Sequence, residues 1–225
     1  GGYSALYGQA LSSALILESI DLPERTSANA SISPILLGAG IQTLSKNKKS
    51  SWGVNYNHTN LLVYFNIVKQ TPDYFKMPAF HSGDANFRIK TKSGGIIKYY
   101  TTISQGQLGL RRPDIDSAIL KNAFGINNFN WYNNLSWREN LGKGWKMNLG
   151  MGYSTNHDKI TNELQDANNT PVSLSGLPWI IKNYKLKSRQ DLSQVRGVFE
   201  KRLFGISTIR FGSEYWHACN SSGYN

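Results

Sequence analysis

The sequence predicts an all-β protein, an antiparallel transmembrane β-barrel of which about nine strands are present. Three observations predict it. The stretch Phe129–Tyr153 alternates apolar and polar residues with period two, in two arms joined at Gly142 and Gly144. Short and long connections alternate strictly along the chain, as periplasmic turns and extracellular loops do in such barrels. No run approaches the eighteen or so apolar residues that a membrane-crossing helix needs, and helical periodicity is weak outside Ser4–Leu17 and Asp114–Asn122.

The strands follow in order. The first two are the least regular, around Ala28–Ser33 and Leu37–Leu44. In the third, near 51–60, Trp52, Val54, Tyr56 and His58 alternate with Gly53, Asn55 and Asn57. The fourth, near 82–91, sets Ala85, Phe87 and Ile89 against Asn86, Arg88 and Lys90. The fifth, near 96–104, sets Ile97, Tyr99, Thr101 and Ile103 against Lys98, Tyr100, Thr102 and Ser104. The sixth and seventh, near 128–138 and 145–154, give one face to Phe129, Trp131, Asn133, Leu135 and Trp137 and to Trp145, Met147, Leu149, Met151 and Tyr153. Placing Trp137 opposite Trp145 predicts Leu135 beside Met147 and Trp131 beside Met151. The eighth, near 191–203, presents Val195, Gly197 and Phe199, and the ninth, near 206–216, presents Ile209, Phe211 and Tyr215. From Cys219 the alternation stops, which reads as a loop or a chain end.

Turn residues mark short connections at Asn47–Ser50, Lys92–Gly95, Leu141–Gly144 and Phe204-Gly205. Long connections are predicted at Asn60–His81, Gln105–Phe124 and Asn156–Leu186. With the short turns periplasmic, Trp52, Trp137 and Trp145 fall at that interface and Tyr153 closes the apolar face toward the other, the places of an aromatic girdle. An odd strand count and the start at Gly1-Gly2 predict a piece of a longer chain.

Composition narrows the partners. Net charge is +11 over 225 residues, but the cations are dispersed, with the densest group, Lys46, Lys48 and Lys49, in a turn. That spacing points to an anionic surface or solute and away from nucleic acid. A mean hydropathy of −0.41 fits a barrel whose inward half is polar. The single cysteine, Cys219, excludes an internal disulfide framework and any cysteine-cluster metal site.

No motif for catalysis, phosphate cradling or a cofactor is present, so no catalytic residue, metal or cofactor is assigned and an enzyme is not expected. The histidines His58, His81, His157 and His217 are scattered, and His81 with Asp84 lacks a third metal ligand. Alternation points Arg88, Lys90, Lys98, Arg138, Lys146, Arg210 and Glu214 into the lumen, where they line a polar interior or pair with a plug. Tyr74, Phe75, Phe80 and Trp179, in the long loops, are the candidate solute contacts, since rigid rings stack on sugars or chelate faces.

Ser4-Ala5-Leu6-Tyr7-Gly8, followed by small residues and the apolar run Ser12–Leu17 with its polar end Glu18-Ser19, stands apart from the barrel pattern. It resembles the end of the plug domain of TonB-dependent outer-membrane receptors, and Ile16–Pro23 and Gly83–Lys90 look like versions common in the Bacteroidetes. Leu15-Ile16-Leu17 stands where many members carry a Gly-rich run. The resemblance implies residues 1–23 as the C-terminal end of a plug and residues 24–225 as the N-terminal portion of a barrel in a Gram-negative outer membrane. It also implies active import of a scarce large solute (siderophore, cobalamin, oligosaccharide or peptide), driven by a TonB complex that engages a more N-terminal region. The residues alone leave two other readings open, an unplugged porin-like barrel and a secreted all-β carbohydrate-binding domain.

Overall fold

The structure is a computed structural model that describes residues 20–68, 72–204 and 207–225. The described residues form one antiparallel sheet of nine strands with almost no helix. The strands are β1 (Ser27–Ile32), β2 (Leu36–Leu44), β3 (Ser50–Asn60), β4 (Asp73–Lys90), β5 (Ile96–Pro113), β6 (Lys121–Gly142), β7 (Trp145–Gln165), β8 (Tyr184–Arg202) and β9 (Thr208–Tyr224). They lie in chain order, so every strand pairs with its sequence neighbour, and β1 and β9 are the two edges. One short helix, α1 (Leu62–Ile67), separates β3 from β4.

The predicted hairpin is present, with a corrected register. Trp137 stands opposite Leu149, Leu135 opposite Met151, Trp131 opposite Thr155 and Phe129 opposite His157. The cause lies in the turn. Lys143 and Gly144 both have positive φ (48° and 79°), the requirement of a two-residue turn whose twist matches that of the strands, and Gly142 (80°) forms a bulge just before it. The arms therefore pair down to Gly142 and Trp145, and Trp137 is carried away from Trp145. The slip is even-numbered, so each side chain keeps its predicted face.

Six strands outrun their predicted ends. β4 begins at Asp73, β5 continues to Pro113, β6 begins at Lys121, β7 continues to Gln165, β8 begins at Tyr184 and β9 continues to Tyr224. The long connections shrink to 61–72, 114–120 and 166–183, and Cys219 onward is strand. No helix forms at Asp114–Asn122; there Asp114 accepts a hydrogen bond from the Asp116 N–H at 2.8 Å, and Lys121 and Asn122 already belong to β6. The extensions escape a period-two reading because the apolar phase reverses along each strand. Near the turns Tyr99, Leu135 and Met151 share one face, whereas Leu108, Ile126, Ile160 and Leu186 pair across the opposite face farther out. Polar residues, among them Gln105, Gln107, Asn127 and Asn128, occupy the crossover.

Candidate functional site

Register fixes which side chains share a face. Thr43, Trp52, Phe87, Tyr99, Leu135, Met151, Val195 and Tyr215 form one transverse row from β2 to β9. Adjacent rows on the same face add Val54, Ile89, Ile97, Trp137 and Leu149, and the row beyond adds Phe211. This apolar face is open: Trp52 is 43 % exposed, Phe87 49 % and Met151 54 %. The opposite face carries Gln42, Asn86, Asn134 and Gln194 in its central row and is the more enclosed, with Ser51 and Asn86 buried. The usual arrangement of a water-soluble sheet is thus inverted over the turn-side half. A continuous exposed apolar surface of this extent marks a face that meets something other than water.

Polar groups on the apolar face are satisfied within it. The Tyr99 hydroxyl donates to Asn133 Oδ1 at 2.8 Å, the Trp131 indole N–H to Thr101 Oγ1 at 3.0 Å, and the Tyr153 hydroxyl to Asp191 at 3.2 Å. Asn133, the one amide among the apolar residues of the hairpin, therefore costs little in place.

All seven predicted inward charges lie on the polar face. Arg88, Lys98 and Glu214 share one transverse row, Lys90 and Arg138 occupy the next toward the turns, and Lys146 and Arg210 the one after. Segment 20–23 lies against them. Asp21 accepts two hydrogen bonds from Arg138 Nη2 at 2.9 Å and forms an ion pair with Lys98 at 2.9 Å, while Lys98 Nζ also donates to the Ile20 carbonyl. The Lys98 hydrogen bond, more than the charges of Lys98 and Arg138, holds the Asp21 carboxyl below its usual range against the opposing effect of burial. Ile20, Asp21, Ile96, Lys98, Ser136, Arg138 and Asn148 line a cleft of about 540 Å³. Elsewhere in these rows Arg210 pairs with Glu200 at 2.6 Å and Gln194 donates to Glu214. The plug-like residues Ser4, Ala5, Leu6, Tyr7 and Gly8 lie outside the described residues.

Farther out, the polar face holds an amide network absent from the sequence-derived candidates. Asn128 donates to Asn156 at 2.9 Å and to Asp158, and Asn156 Nδ2 donates to Asp158 at 2.8 Å. Its only signal in the sequence is the recurrence of Asn and Asp at alternate positions. Beyond it Lys182 binds Asp114 and Asp116, each at 2.6 Å, and its ammonium sits 4.7 Å from the centre of the Trp179 ring. The Asp114 side chain is fully buried. Burial pushes its carboxyl up, but hydrogen bonds from Lys182, the Asp116 N–H and Asn122 outweigh that and hold it below the usual range. Burial likewise opposes the Lys182 charge, and its two carboxylates more than compensate, raising it. A lowered carboxyl contributes stability above its unfolded pKa and loses it as pH falls through the folded value; a raised ammonium loses its contribution only as pH climbs past its own. The tether of connection 166–183 to 114–120 is thus expected to hold from about pH 4 to about pH 10 and to loosen on acidification below the ordinary Asp range. Hydrogen exchange of residues 166–183, compared at neutral and acid pH, checks this.

The aromatic candidates separate. Tyr74, Phe75 and Phe80 are on β4 and not in a loop, because the strand begins earlier than predicted. Tyr74 stacks on Phe65 with ring centres 5.2 Å apart. Phe75 lies over Gly109 and Gly125, where a side chain on Gly109 would collide with the ring, and Arg111 covers it at 4.9 Å. Phe80 packs against Gly106 on the polar face. Trp179 alone stands in a connection, in the single turn Trp179–Ile181. His81 and Asp84, which lack a third metal ligand, are sent to opposite faces by alternation, and His81 stacks on His58 at 4.1 Å while its Nδ1 meets the Tyr56 hydroxyl at 2.7 Å.

Comparison with protein-family models, curated proteins and solved structures finds no match to this chain.

Proposed function

We propose that this chain is the plug end and part of the wall of an outer-membrane β-barrel, in a receptor of the TonB-dependent kind that imports a large scarce solute. The observation that carries the plugged reading is the seat of Asp21. A segment preceding the first strand lies on the polar face and engages two of the basic side chains expected to meet a plug. An unplugged porin-like barrel gives no reason for that contact.

The membrane part of the reading is supported by the inverted faces and by the drift of the apolar band. The band begins on the turn side at Trp52 on β3, which shares its row with Leu135 and Met151. On β7 it begins at Trp145 and on β9 at Ile209, both in a row nearer the turns. With a rise of about 3.4 Å per residue and about 4.8 Å between strands, that drift corresponds to a strand tilt of roughly 47° measured to β7 and roughly 35° measured to β9, close to the range of membrane barrels. Open edges at β1 and β9 are then completed by further strands, and the phase reversal marks where the strands leave the apolar layer and project beyond it. The three long connections and Trp179 stand on the solute-receiving side. TonB coupling acts through the plug, and no residue of this chain is assigned to it.

Fractionation tests the membrane reading, and conductance tests the plug. The protein is expected in the outer-membrane fraction of a Gram-negative host, extractable by detergent and not by salt; recovery in the soluble fraction overturns both barrel readings. In a planar bilayer the receptor, with the strands that complete its wall, is expected to stay closed until urea displaces the plug. Steady conductance without urea favours the porin-like alternative.

A further inference from the structure

Just beyond Tyr153, on the same face as the apolar band, β7 and β8 place nitrogen-bearing side chains directly opposite one another. His157 stands opposite Arg189, and in the next row Lys159 stands opposite Lys187. Opposed like charges across an antiparallel pair are destabilising, and Lys159 with Lys187 is such a pair. Asp191 engages Arg189 at 2.7 Å, but Lys159 and Lys187 have no ion-pair partner among the described residues. The four side chains border a groove of about 520 Å³ that also includes Phe129 and Gly223. Phe129 meets His157 edge to face at 5.9 Å, and Gly223 leaves the space above β9 empty within 4 Å. The groove thus joins an apolar surface on one side to uncompensated positive charge on the other.

We infer that this groove binds the phosphorylated headgroup of an anionic lipid in the outer leaflet. The inference rests on the membrane-wall reading, since it needs the apolar band to lie in acyl chains and the basic rows to lie at headgroup level. A phosphate supplies what the sheet lacks there. Its charge relieves the opposed Lys159–Lys187 pair, its oxygens accept from both ammonium groups and from the Arg189 fork, and the lipid's acyl body continues down the apolar rows. A free anion gains the first two contacts and not the third.

Native mass spectrometry of the detergent-solubilised protein with bis-phosphorylated lipid A tests this. The wild type is expected to retain the lipid, and the Lys159→Gln/Lys187→Gln double variant to bind it roughly tenfold or more weakly, the loss expected for two basic residues at an anionic surface. Equal retention by both proteins overturns the inference. Displacement by inorganic phosphate at matched concentration also overturns it, because the groove is then a small-anion site. Both proteins are first recovered from the outer membrane: failure there defeats the membrane reading itself, whereas recovery without a difference in lipid binding defeats only the groove.

Discussion

Leu135→Arg is expected to destabilise the membrane-inserted protein by about 1–2 kcal/mol, the cost of a cation at the lipid face between the interface and the bilayer midplane. Leu135 occupies the central apolar row, flanked by Tyr99 and Met151, and is 39 % exposed. Its chain neighbour Asn134 points to the other face, into a row shared with Tyr100 and Gly152 and free of charge from Gln42 on β2 to Trp216 on β9. Asn134→Arg is expected to shift stability by less than about 0.5 kcal/mol, as surface changes in water usually do. Urea titration of both variants in lipid vesicles measures the difference. Were the apolar face water-covered, Leu135→Arg would also be nearly neutral, so equal small effects would defeat the membrane reading.

Asp21→Lys is expected to lift segment 20–23 off the polar face. The substitution replaces the carboxylate that Lys98 and Arg138 share with an ammonium facing both, and Arg88 lies in the same row as Lys98. Each exposed pair contributes only about 0.2–1 kcal/mol, because Asp21 and Arg138 are half open to solvent. Reversal turns two attractions into two repulsions. The expected readouts are protease cleavage near Pro23 and a lower urea concentration for channel opening in a planar bilayer. Asp21→Asn, which keeps the size and one acceptor oxygen but loses the charge and the second acceptor, is expected to fall between wild type and Asp21→Lys. Unchanged cleavage and conductance in Asp21→Lys would mean that the segment is held by other means and that the ion pairs are incidental.

The fold was legible in the chain wherever one face was apolar and the other polar over several residues. Phe129–Trp137 and Trp145–Tyr153 show this most clearly, because a period-two residue pattern needs no knowledge of its partner. The hairpin register was not legible: pairing Trp137 with Trp145 maximised apolar contacts, but the register was set by the backbone at Gly142–Gly144, whose positive φ values closed the turn. The strand ends were missed at the phase reversal around Gln105–Gln107 and Asn127–Asn128, where a short window sees two conflicting alternations. That the seven charged side chains share one face was legible by parity, while the partner Asp21 was not, because it lies 77 residues from Lys98 and 117 from Arg138.

By itself, then, the sequence determined that strands form and which side chains share a face, since both follow from the local two-residue repeat of an extended chain. The tertiary structure alone decided what stands beside what: Asp21 on the basic rows, Lys182 between Asp114 and Asp116, and Lys159 opposite Lys187. Such neighbours are set by register and turn geometry acting across strands. A slip of two residues leaves every face unchanged and replaces every cross-strand partner, so the face pattern carries no information about the pairing.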